Sequence, residues 1–109
     1  MRVDEMAKAI GAEALTLPHP EREVEGCYVG DLLSWVMGRC GSGDAWVTIM
    51  SNRNVFAVAS LADVSCVILA EGVRIDAELT ALALEKEINV LAVDVPIYEV
   101  CKLISGAKI

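Results

Sequence analysis

Two β-branched apolar runs, Ala45-Trp46-Val47-Thr48-Ile49-Met50 and Val64 to Leu69, restrict the fold of this chain more than any other feature. A run that is apolar at successive positions suits a strand covered on both faces, as in a parallel sheet between helical layers. The runs are separated by a polar break, Ser51-Asn52-Arg53-Asn54, and an apolar segment ending at Ala62. Adjacent parallel strands need a crossover, and such crossovers are right-handed. Periodicity alone does not separate a short buried helix from a strand here, but the need for a crossover predicts a helix over Asn54 to Ala62.

The flanking segments extend the pattern. Val3, Met6, Ala7 and Ile10 repeat at i, i+3, i+4, i+7 before Gly11, a helix face with its stop. Leu15-Thr16-Leu17 runs into Pro18-His19-Pro20, which forces a turn. Glu23 to Val29 alternates as a short strand. Asp31 is placed to cap a helix carrying Leu32, Leu33, Val36, Met37 and Cys40 on one face, ended by Gly41-Ser42-Gly43-Asp44. After Glu71-Gly72, Asp76 caps a helix bearing Leu79, Leu82 and Ala83, with Ile88 further on. Asn89 to Val93 is a third apolar strand. Pro96 suits the first turn of a last helix with Ile97, Val100, Cys101 and Ile104 inward, closed by Gly106. The expectation is an α/β fold in three layers: a mainly parallel sheet with helices on both faces, and a β-α-β-α-β-α core over residues 45–105.

The chain has 109 residues, enough for one domain. With 55% hydrophobic residues it is not a disordered segment. Charges interrupt every stretch of the ~18 residues a membrane helix needs, and the first residues lack a signal-peptide layout, so a cytoplasmic protein that does not bind membranes is expected. A net charge of −7 argues against nucleic acid, whose backbone is bound by clustered Lys and Arg. Cys27, Cys40, Cys66 and Cys101 form no paired short spacing, and His19 has no nearby Cys or His, so no metal site is expected. Cys66 and Cys101 read as core; Cys27 and Cys40 stay open between structural and redox roles.

No catalytic residues are expected and no cofactor. There is no phosphate loop of the G-x-x-x-x-G-K-[ST] kind, no G-x-S-x-G elbow, and Gly41-Ser42-Gly43 precedes a strand instead of following one. Parallel sheets bind ligands beyond the C-terminal ends of their strands, usually where strand order reverses. Those ends carry Thr48 to Asn54, then Ala70 to Arg74, then Asp94 to Pro96, and the candidate ligand-binding residues among them are Thr48, Ser51, Asn52, Arg53, Asn54, Glu71 and Gly72. A helix start there attracts anions, and Arg53 adds a two-pronged donor. The plainer alternative is that Asn54 caps the helix and Arg53 is a solvated charge. Trp46 belongs to a buried strand, whereas Trp35 is open between core and interface.

Tyr28-Val29-Gly30-Asp31-Leu32-Leu33-Ser34-Trp35-Val36-Met37, then Gly43-Asp44-Ala45-Trp46-Val47-Thr48-Ile49, then Asn54-Val55-Phe56-Ala57-Val58-Ala59-Ser60-Leu61 resemble small stand-alone DRTGG-domain proteins. The likeness runs over essentially the whole chain, which implies a single DRTGG-like domain over residues 1–109. The chain carries Glu71-Gly72 where many members have two glycines. The resemblance implies a regulatory module, not an enzyme. Similar domains sit in the regulatory portion of long phosphate acetyltransferases and in CBS-domain pyrophosphatases, where adenine nucleotides act. A related fold forms the N-terminal domain of HPr kinase/phosphorylase.

Two functions follow as expectations. The first is a non-enzymatic regulatory or interaction domain, a homodimer that touches a protein partner through the surface around Trp35. The second is a sensor that binds an adenine nucleotide or other anion at Thr48, Ser51 to Asn54, Glu71 and Gly72.

Overall fold

A computed structural model describes residues 1–107. Helix α1 (Val3–Ile10) is followed by strand β1 (Glu13–Thr16), strand β2 (Gly26–Val29) and helix α2 (Leu33–Arg39). Then come β3 (Asp44–Thr48), α3 (Arg53–Ala62), β4 (Cys66–Leu69), α4 (Ala77–Glu85), β5 (Val90–Ala92) and α5 (Ile97–Gly106). The five strands form one sheet in the order β1-β5-β4-β3-β2, parallel except for β1.

The two apolar runs are the two central strands, β3 and β4, paired Ala45 to Cys66 through Thr48 to Leu69. Alternation sends Ala45, Val47, Cys66, Ile68 and Leu91 to one face, and Trp46, Val67, Leu69, Val90 and Ala92 to the other. On the first face lie Val3, Met6 and Ile10 of α1 with Val100 and Ile104 of α5. The second face is covered by Val36 of α2, Val55 and Phe56 of α3, and Ala83 of α4. Strands β2 to β5 step in one direction across the sheet, so right-handed crossovers put all three connecting helices on that one face. The expected three layers are present.

Several local expectations are corrected. The stretch before Pro18 contains a strand, β1, pairing antiparallel with β5 across a bulge between Ala14 and Thr16. The buried Thr16 hydroxyl bridges the irregular ladder, donating to the Ile88 carbonyl at 2.7 Å and accepting from Val90 N–H at 3.0 Å. Asp31 does not cap α2: the N-cap position is Leu32, with no side-chain cap. Of the predicted inward face of that helix, Leu32 and Met37 are exposed, and Val36 and Cys40 are buried. Asn52, not Asn54, caps α3, its side-chain oxygen accepting from Asn54 N–H at 2.9 Å. Asp76 caps α4 as expected, accepting from Leu79 N–H at 2.8 Å. Pro96 sits at the N-cap of α5, one residue before its first turn, and Gly106 is the last helical residue instead of lying beyond it.

Candidate functional site

Because the parallel strands never reverse order, the sheet has no switch-point crevice. Its C-terminal edge is instead a shelf, where α2, α3 and α4 begin side by side above the ends of β2, β3 and β4. Thr48, at the end of β3, is fully buried. Its hydroxyl donates to Asp31 Oδ1 at 2.7 Å and accepts from Met50 N–H at 3.1 Å. Asp31 Oδ1 also accepts from Ile49 N–H at 3.1 Å. The carboxylate read as a helix cap is thus a brace that ties the β2–α2 turn to the loop after β3. Sequence alone carried no sign of this, because the partners lie 17 positions apart.

That braced loop presents Ser51, Asn52, Arg53 and Asn54 at the start of α3. On the neighbouring strand, Glu71 (φ 62°) and Gly72 (φ 77°) both adopt the left-handed conformation, which a glycine takes without steric cost. Their N–H groups donate to the carbonyls of Val95 and Val93, each at 3.0 Å, so this turn is fastened to the end of β5. The predicted residues therefore gather on one edge. Ala70 N–H bonds the Thr48 carbonyl at 3.1 Å, and Arg53 meets Glu78 of α4 at 3.1 Å, bridging the two loops. Arg74, expected at this edge but not among the candidate binding residues, pairs with Asp94 at 3.0 Å and Glu13 at 3.6 Å. Both arginines of the shelf thus carry carboxylate partners, and an incoming anion must displace them.

Beside the shelf lies an apolar surface. Trp35 is 52% exposed, and Val29, Leu32 and Ile49 around Asp31 are exposed as well. The Arg39 guanidinium stacks 3.7 Å from the centre of the Trp35 ring. Trp46, by contrast, is wholly buried and donates its indole N–H to the Gly30 carbonyl at 2.8 Å. This surface is flanked by β2, an edge strand with no charged residue and no proline.

The thiols are poorly suited to nucleophilic work. Burial pushes Cys66 up to about 12 and Cys40 up to about 11, the latter with help from Asp44. Cys27 rises to about 11, first from the protein packed around it and then from Cys101 and Asp44. Protonated thiols neither attack nor bind metal readily. Among the described residues no group of His, Cys, Asp or Glu is placed to hold a metal ion, and no helix is long and apolar enough to cross a membrane.

Among the described residues, an open sheet of four parallel strands and one antiparallel edge, with three helices on one face and two on the other, defines a three-layer α/β domain. The DRTGG domain family matches residues 5–107, and the chain belongs to it. Its fold is similar to the crystal structure of the CBS and DRTGG domains of the regulatory region of Clostridium perfringens pyrophosphatase, which was complexed with its activator, diadenosine tetraphosphate. The TM-score is 0.76 at 18% identity, over 97% of this chain. This chain spans 46% of that longer one. No curated protein matches the chain in sequence.

Proposed function

We propose that this DRTGG domain is a non-enzymatic, cytoplasmic regulatory module that acts through protein contact, pairing with a second copy through the surface around Trp35. The observation that carries this reading is the half-exposed Trp35 on a helix whose only fully covered apolar side chain is Val36, apart from its capping Cys40. Exposed aromatic side chains of this kind anchor interfaces. A symmetric pair needs only one self-complementary patch, and the uncharged β2 edge beside it lacks the usual protection against pairing. The regulatory setting is supported by the Clostridium perfringens structure, in which such a domain belongs to a regulatory region. Sedimentation equilibrium tests the pairing: the wild-type chain should sediment as a dimer and Trp35→Glu as a monomer of unchanged fold. A wild-type monomer at high concentration refutes it.

A second reading is favoured by the activator in that same structure. An adenine nucleotide would sit on the shelf, its phosphates on Arg53 and the start of α3 beside Ser51, Asn52 and Asn54, with the Glu71-Gly72 turn as the opposite wall. Bound at about 100 times its dissociation constant, such a ligand adds roughly 2.7 kcal/mol, a rise of about 10–20 °C in the unfolding midpoint. Thermal unfolding with adenine nucleotides and diadenosine polyphosphates should show that rise, and Arg53→Ala should remove it. A flat panel excludes this reading and leaves the protein-contact module.

A further inference from the structure

Five arginines lie in this chain, and four of them hold a carboxylate: Arg2 with Asp4, Arg22 with Asp63, Arg53 with Glu78 and Arg74 with Asp94. Among the described residues Arg39 alone has none within ion-pair reach, although the chain carries a net charge of −7. It is exposed in the last turn of α2, and the face of the Trp35 ring, 3.7 Å away, fixes where its charge sits.

Just before the same helix, Asp31 is an exposed carboxylate without a cation. Its Oδ1 takes both bonds of the brace, from Thr48 and Ile49, and its second oxygen accepts no bond among the described residues. Asp31 and Arg39 do not meet within one chain, since eight positions along a helix span about 12 Å.

Their spacing is symmetric about the tryptophan. Trp35 stands four positions from each charge, and Leu32 and Gly38 stand three positions on either side of it. Positions three and four apart share a helix face, and all five residues are exposed. Val36 and Cys40 hold the opposite side of α2 against the core. Nothing in the chain fills the space over Gly38, where an added Cβ would find no atom within 4 Å. The outward line of α2 thus reads acid, leucine, tryptophan, glycine, base. Turned end for end about Trp35, it sets each charge against its opposite and leucine against glycine.

We infer that two copies lay α2 antiparallel with the two-fold axis at Trp35, so that Arg39 of each copy meets Asp31 of the other and Leu32 of each fills the space over Gly38 of the other. This rests on the pairing proposed above and specifies its direction and its residues. A parallel arrangement would set like charges together, which fixes the direction. The occupant is a second copy because the pattern is its own complement, the condition a two-fold interface imposes and an unrelated partner does not.

Sedimentation equilibrium of the full chain tests this through the dimer's dissociation constant. Asp31→Asn keeps an oxygen for Thr48 and Ile49 and loses only the charge, and Arg39→Met changes an exposed side chain. Each should weaken the dimer about tenfold, since two ion pairs are lost at once. The double variant should be little weaker than either single, because both remove the same two pairs. Gly38→Leu has room within its own chain and a better helix propensity, so it should keep the fold by circular dichroism and weaken the dimer more than either charge change. An unchanged constant in Asp31→Asn, losses that add in the double variant, or a Gly38→Leu dimer as tight as the wild type overturns the arrangement and leaves the pairing through Trp35 standing. A wild-type monomer instead removes the pairing itself, and the arrangement with it.

Discussion

The brace between Asp31 and Thr48 makes a sharp prediction, because the same aspartate was expected to cap α2. Asp31→Ala removes the acceptor of two bonds, at 2.7 Å from the Thr48 hydroxyl and 3.1 Å from Ile49 N–H. Bonds to a charged acceptor contribute about 1.5–3 kcal/mol each when buried, and this carboxylate is exposed, so about 2 kcal/mol for the pair is a fair expectation. For a domain of this size the midpoint should fall by about 8–16 °C. Thr48→Val keeps the shape of a fully buried residue but removes the shared hydroxyl, at about 1 kcal/mol. The two changes remove one bond in common, so the double variant should lose about 1 kcal/mol less than the sum of the singles. Urea denaturation of the wild type, both singles and the double variant measures this directly. If Asp31 only capped a helix, its removal would cost about 1 kcal/mol and show no coupling to Thr48. A coupling indistinguishable from zero therefore refutes the brace.

Arg53→Ala should change stability by no more than about 1 kcal/mol by urea denaturation, since both it and Glu78 are exposed and such pairs are screened. Phe56→Ala should cost about 3–5 kcal/mol in the same assay, because the ring is fully buried among the three helices of its face. On the alkaline side, a thiol whose folded pKa lies above its ordinary 9.0 stabilises the fold fully below pH 9 and loses that contribution as pH rises toward the folded value. With Cys66 at about 12 and Cys27 and Cys40 at about 11, the midpoint should decline from pH 9 upward, and less steeply in Cys66→Ala. A wild-type curve flat from pH 8 to about 10.5 would contradict the shielding of these sulfurs.

Local chemistry accounts for what was legible. Val3, Met6, Ala7 and Ile10 with Gly11 specify a helix and its end within nine residues, and all four side chains are buried against the sheet. The strands β3 and β4 were equally plain, since short β-branched runs apolar at successive positions suit strands covered on both faces. β1 was not, because only one of its four residues is buried and its pairing depends on Thr16 reaching Ile88, 72 positions away. Which residues would crowd the C-terminal edge could be read from where each strand ends. That Arg53 and Arg74 arrive already paired could not, because Glu78, Asp94 and Glu13 are brought to them by strand order alone.

Periodicity, caps and the two apolar runs determined a mainly parallel α/β domain from the chain itself. The tertiary structure decided the rest: the antiparallel edge, the absence of a reversal in strand order, and the exposure of Trp35. A helix face or a buried strand is specified by neighbours one turn or two residues apart, whereas an edge, a shelf or a pocket exists only where segments remote in sequence meet.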